Sequence, residues 1–175
     1  TAYEIMPSLV GSEMCIRDRV TSSSKGVTLE ISGDFSFGSG SAGISPGLKK
    51  LLSEKIVPEI KNSIFQIEIA GHTDSDALPK AYQKRFPSNW ELSTARGSAV
   101  VRNVIDQGVN PTRLVAAGYA DWVPRGQAQN LTQQIDRKTV VGLNDTPEKK
   151  GRNRRIEITF LKPSHHSTSY VENDG

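Results

Sequence analysis

Cysteine is nearly missing from this sequence of 175 residues. Cys15 stands alone, so neither an internal disulfide nor a multi-cysteine zinc site can form. Histidine is almost as scarce: two of the three, His165 and His166, lie in a polar tail, which leaves His72 as the one histidine in patterned sequence. With so few bases and one cysteine, no Ser-His-Asp or Cys-His arrangement is available for nucleophilic catalysis. No apolar run reaches the roughly 18 residues that span a bilayer. Neither sign of charge dominates, since 22 Lys and Arg against 19 Asp and Glu leave a net charge of +3. That balance tolerates an anionic partner without demanding one. The densest basic stretch, GRNRR at Gly151–Arg155, has no interleaved aromatics, so nucleic acid is not an expected partner.

What remains, 35% hydrophobic and 23% charged residues over this length, fits one globular domain with tails. Residues 1–25 read as a leader and linker outside the fold. TAYEIMPSLVGSEMCIRDR has neither helical nor strand period, PSLVGSEMCIRDR resembles translated sequencing-adaptor sequence, and TSSSKG is linker chemistry. The domain is expected over 26–162 and a disordered polar tail over 163–175. Within the domain, VTLEI alternates Val27, Leu29 and Ile31 inward as a strand, and GDFSFGSGSAGI follows as a loop. Ser45 caps a helix with Pro46 in its first turn and Leu48, Leu51, Leu52 and Ile56 on its buried stripe, which Pro58 ends or kinks. FQIEIAG, LVAAGYA and RRIEITF are further strands, while the Gln-rich stretch 125–143 has no assignable period.

The longest element is the helix within FPSNWELSTARGSAVVRNVIDQGVNP. Ser88 or Asn89 caps its start, Glu91 completes a capping box with Ser88, and Gly108 with Pro111 closes its end. Trp90, Gly97, Val100, Val101, Val104 and Ile105 fall on one apolar face at 100° per residue, with Asn89, Arg96 and Asn103 as a polar stripe beside it. The order β-α-β-α-β-β predicts a two-layer α/β sandwich, two helices covering one face of a mixed four-stranded sheet.

Three readings compete for GHTDSD, directly after the second strand, where open α/β sheets place ligands. His72, Asp74 and Asp76 could hold a metal for a hydrolase; Asp74 could cap a turn; or Asp74 could accept hydrogen bonds from a cationic ligand group. Arg96 is either a surface arginine paired with a neighbour such as Asp74, or a hand for a carboxylate beside the free amides of the helix start. Asp74 and Arg96 together would suit a zwitterion such as an amino-acid head group. Arg154 starts the last strand on the side of Ile156 and Ile158, so it enters the same rim, whereas Arg155 points with Glu157.

GHTD, SNWELSTARGSAVVRNVIDQGVNPTRLVAAGYAD and NDTPEKKGRNRRIEI, in that order, resemble the OmpA-like C-terminal domain over about Val27 to Leu161. The FPSNWELS segment is similar to the flagellar-stator branch of the MotB type. The resemblance implies a periplasmic, cell-envelope module that binds peptidoglycan noncovalently, is not an enzyme, and uses no cofactor or metal. It implies that Asp74 and Arg96 hold the diaminopimelate of the stem peptide, with Asn89 and Arg154 lining the same pocket and Thr73 and Ser93 as weaker members. It also implies a homodimer, and a parent protein anchored in a membrane outside this stretch. The rival reading is the metal-dependent hydrolase on His72, Asp74 and Asp76. Three departures from the family pattern stand out. Gly97 replaces the usual alanine, the glycine after TD is missing, and the stretch between Pro124 and Asn144 is long enough to form a flap.

Overall fold

The computed structural model describes residues 20–126 and 134–163. Its frame is a sheet of five strands in the order β1-β2-β5-β3-β4: β1 (Val20–Ser22), β2 (Gly26–Ser32), β3 (Gln66–His72), β4 (Leu114–Gly118) and β5 (Arg155–Leu161). The β3–β4 pair is parallel and the others are antiparallel. The sheet is mixed, as expected, but has one strand more than the four expected. The addition, β1, comes from the stretch read as linker. Val20, Thr21 and Ser22 turn back through Ser23–Lys25 and pair with Leu29, Thr28 and Val27, and the Ser23 N–H donates to Gly26 O at 2.9 Å. Residues 1–19 and 164–175, most of the expected leader and tail, lie outside the described residues.

The alternation in β2, β3 and β5 is resolved by register. Val27 lies opposite Phe160 and Phe160 opposite Ile67; Leu29, Ile158 and Ile69 form the next row. All six are buried on one face and join Leu48, Leu52, Ile56, Ile60, Val100 and Val104 from the helices in one core. Burying such side chains contributes about 1.5–3 kcal/mol each. The first helical layer is α2 (Pro46–Leu51), capped by the Ser45 hydroxyl, which accepts from Leu48 N at 3.0 Å. Pro58 does not end this helix. A π turn over Leu52–Ile56 leads into α3 (Val57–Asn62), which takes up the missing N–H and the ring bulk of the proline.

The long helix is α5 (Asn89–Asp106), preceded by α1 (Gly33–Ser36), in the stretch read as a loop, and by the short α4 (Lys80–Gln83). Its Ser88–Glu91 capping box is formed. At its end Gly108 N donates to Ile105 O and Val109 N to Val104 O, the crossed pair of a Schellman motif. Its buried face differs from the expected one. Leu92, Ser93, Arg96, Gly97, Ala99, Val100 and Val104 are buried, whereas Trp90 is exposed. The face is turned toward Arg96 because the loop after α1 covers that side, a contact that periodicity does not encode. Helix and sheet meet at backbone distance. A β-carbon on Gly71 would lie 2.1 Å from Ser93 O, and one on Gly97 would lie 2.7 Å from Ala117 O. Gly97 is therefore a close-approach position and not only a loss of helix propensity.

The stretch without assignable period contains α6 (Arg137–Gly142), whose cap Asp136 accepts from Thr139 N at 2.8 Å. It is followed by α7 (Pro147–Asn153). Of the expected flap, residues 127–133 lie outside the described residues. The rest folds back on the domain, where Arg137 pairs with Asp121 and donates to Ser75 O at 3.2 Å.

Candidate functional site

The carboxyl end of β3, the start of β5 and the first turns of α5 converge at one end of the sheet. Thr73 fixes the chain as it leaves β3. Its N–H donates to Ala120 O at 2.8 Å, and its hydroxyl donates to Asp74 O at 2.9 Å. Ala120 has φ +50, a left-handed conformation, and its N–H donates to the Ser93 hydroxyl at 3.1 Å. Ser93 in turn donates to Trp90 O at 3.0 Å. Thr73 and Ser93 thus spend their polar atoms within the frame, tying α5 to the two chain exits above the parallel strands.

Asp74 sits on this support. Its Oδ1 accepts from Asp76 N at 3.0 Å, closing the turn, and its Oδ2 accepts from Arg154 Nη1 at 2.6 Å. The turn reading and the charge reading therefore both describe Asp74, through different oxygens. Asn89 clamps the same loop, donating from Nδ2 to Asp76 O at 2.9 Å and to Asp74 O at 3.3 Å. The outer face of Arg154 is engaged by an acid that sequence reasoning missed. Asp34, in α1, accepts from Arg154 Nε at 2.8 Å and Nη2 at 2.9 Å. The bond to Arg154 holds the Asp34 carboxyl below its usual range, and the two acids hold the Arg154 guanidinium above its own. The available signal was position: GDFS follows the strand paired with β5, which puts an acid opposite Arg154, the residue just before β5 and not, as expected, its first.

Arg96 is neither a surface arginine nor the partner of Asp74. It is 6% exposed, donates from Nε to Ser41 O at 2.9 Å and from Nη2 to Gly38 O at 3.4 Å, and lies 5.0 Å over the Phe37 ring. Burial lowers its pKa to about 10, opposed by the nearby charges of Asp34 and Asp74. The result is an alternation of Asp34, Arg154 and Asp74, with Arg96 beneath it under the loop 38–41. Such a group of two acids and two guanidiniums matches a ligand carrying both an ammonium and a carboxylate. The rim extends through Lys150 Nζ, 2.8 Å from Asp76 Oδ1.

The hydrolase reading needs His72, Asp74 and Asp76 together, and they are not. His72 is the last residue of β3 and stacks on Tyr119 with ring centres 5.2 Å apart; its Nε2 lies 3.4 Å from Glu157. Asp74 and Asp76 engage Arg154 and Lys150 instead. Among the described residues no group of three or more His, Cys, Asp or Glu is arranged to hold a metal ion. The asparagine before Arg154 also has a defined place. Asn153 accepts from Arg125 N at 2.7 Å and donates to Leu143 O and Asn144 Oδ1, both at 2.9 Å, while Asn144 accepts from Ser75 N at 3.3 Å. This buried pair of amides fastens three loops behind the site.

His72 gives a pH prediction. It is buried, neither ring nitrogen has a hydrogen-bond partner among the described residues, and burial lowers its pKa from 6.5 despite Glu157 and Glu30, with Arg155 adding to the depression. Burial also works to raise Glu157, yet the contact with His72 and Arg155 Nε at 2.7 Å bring it down to about 2. A depressed base binds a proton more readily unfolded than folded, so its stabilisation is complete above about pH 6.5 and is lost as pH falls. Thermal unfolding followed from pH 7.5 to pH 5 should show a falling Tm. His72→Gln should flatten that decline, leaving only the carboxylate losses at lower pH.

Comparison with known proteins fits this frame. The model of the OmpA family matches residues 36–139, and the chain belongs to that family. It is 33% identical over 139 residues to the uncharacterized protein YtxE of Bacillus subtilis, covering 79% of this chain and 49% of that protein. It is 29% identical over 106 residues to motility protein B of Helicobacter pylori, covering 61% of this chain and 34% of that one. The chain thus spans about half or less of the curated relatives it matches. Among solved structures, the cell wall anchor of the type VI secretion system from Pseudomonas aeruginosa superposes with a TM-score of 0.67 at 24% identity, covering 93% of this chain and 98% of that one. That likeness concerns the fold.

Proposed function

We propose that this domain binds peptidoglycan noncovalently in the periplasm and so anchors a membrane-tethered protein to the cell wall. The ligand is the diaminopimelate of a stem peptide. The observation that carries the reading is the two-sign group of Asp34, Asp74, Arg154 and the buried Arg96 at the end of the sheet where β3 leaves and β5 begins. Membership of the OmpA family and likeness to a cell wall anchor and to motility protein B support it. Diaminopimelate offers an ammonium for Asp74 and a carboxylate for the guanidiniums, and Asn89 holds the loop that presents Asp74. Thr73 and Ser93 serve the pocket by fixing its frame. The stator likeness extends the reading to a homodimer in the cell envelope.

The test is retention on isolated sacculi. Wild-type chain should co-sediment, and Asp74→Ala should fall at least about tenfold in retention, since it leaves Arg154 part-buried with half its partners. Because Arg154 is 31% exposed and keeps Asp34, the fold itself should persist. Full retention by Asp74→Ala would overturn the assigned pocket. Failure of the wild type to bind would overturn the function.

A further inference from the structure

The two tryptophans are treated differently by the fold. Trp122 lies under Arg137, whose guanidinium is 5.6 Å from its ring centre. Trp90, in the first turn of α5, is 48% exposed, at a position where an apolar helix face was expected. It begins an i, i+4, i+8 line with Thr94 and Ser98, and these three with Ala95 border an open groove of about 410 Å³. Among the described residues, the Thr94 and Ser98 hydroxyls and the Trp90 indole N–H have no hydrogen-bond partner. Glu91, on the groove's border, is held in place by the capping box with Ser88. An aromatic plate with free hydroxyls one and two turns away has the features that bind a sugar ring. The ring's C–H face lies on the indole, and its hydroxyl and acetamido groups meet polar atoms at the edge.

The position of the groove relative to the pocket decides which sugar. Asn89 reaches Asp74 O with its side-chain amide at 3.3 Å, and Trp90 is the next residue. With 3.8 Å between neighbouring α-carbons, the base of the indole lies on the order of 10 Å from the Asp74 backbone. An extended peptide covers about 3.3–3.6 Å per residue, so two or three residues bridge that gap. A stem peptide held by Asp74 and Arg154 is joined to its glycan strand over that length.

We infer that Trp90, with Thr94 and Ser98, forms a second subsite that takes an N-acetylated sugar of the glycan strand, beside the pocket for the stem peptide. The inference rests on the peptidoglycan reading, but the two fail separately. The full chain is titrated with peptide-free glycan strands and, in parallel, with a diaminopimelate-containing stem tripeptide, following the two indole N–H resonances by NMR. Glycan should shift the Trp90 resonance and leave Trp122 in place. Trp90→Ala should lose that response and about tenfold in sacculus retention, while keeping wild-type affinity for the tripeptide; Trp90→Phe, which keeps a plate, should recover most of the retention. Absence of a glycan response in the wild type, or wild-type sacculus retention by Trp90→Ala, overturns the subsite and leaves the pocket standing. Loss of a dimer in sedimentation with Trp90→Ala, without a glycan response, assigns the face to a second copy and also overturns it. Failure of the tripeptide to bind the wild type overturns the peptidoglycan pocket instead.

Discussion

Arg96→Ala should abolish retention on sacculi and also lower the stability of the domain by about 2–3 kcal/mol, read by urea denaturation. The binding loss follows from removing one of two guanidiniums in the group. The stability loss follows from what Arg96 holds. Its Nε and Nη2 satisfy the carbonyls of Ser41 and Gly38, and its plane covers Phe37, which is 5% exposed in the core. Hydrogen bonds from a charged donor contribute about 1.5–3 kcal/mol, and a desolvated cation–π contact can reach about 2; these overlap and do not sum. Arg96→Lys separates the two roles. A lysine keeps the charge but cannot span both carbonyls with a planar fork, so it should retain part of the binding and lose much of the loop order. An Arg96→Ala variant as stable as the wild type would mean that the loop 38–41 stands without it.

Gly71→Ala should damage both the fold and the site with a single methyl. The new β-carbon would sit 2.1 Å from the Ser93 carbonyl oxygen and 3.1 Å from its α-carbon, both helix backbone, so relief requires α5 to move off β3. Overpacking of this kind costs about 1–3 kcal/mol and at times more. The displacement would also carry Ser93 away from Ala120 and Arg96 away from Ser41, so binding should fall with stability. Circular-dichroism melts and sacculus retention on the same preparation would check both. A Tm within a few degrees of the wild type would show that the helix rides higher on the sheet than the contact distances imply.

The parts of this molecule that sequence made legible are those governed by neighbours in the chain. The capping box at Ser88 and Glu91, the Ser45 cap and the alternation of Val27, Leu29 and Ile31 are local decisions, and each stands as expected. Arg96 was legible as an unusual residue, but not as a buried one, because its carbonyl partners lie 55 and 58 residues away. Asp34 escaped notice for the same reason, 120 residues from Arg154. Trp90 was misplaced because hydrophobicity assigns it inward, while the covering loop turns the buried face toward Leu92 and Arg96. β1 was missed because three residues of Val, Thr and Ser make too short a pattern to stand out from a serine-rich linker.

The order of the strands has a consequence for how the protein comes into being. Of the described strands β5 is the last to be synthesised, yet it is the middle one, joining β2 on one side to β3 on the other. The Thr28 and Thr159 hydroxyls, 2.9 Å apart, meet across 131 residues. Until Arg155 to Leu161 have left the ribosome, the chain holds a hairpin and a parallel pair with no strand between them, and Arg154 is not yet there to meet Asp34 and Asp74. Such non-local pairing closes slowly and all at once. A chain that stops short of β5 would therefore lack both the joined sheet and the Asp34–Arg154–Asp74 group.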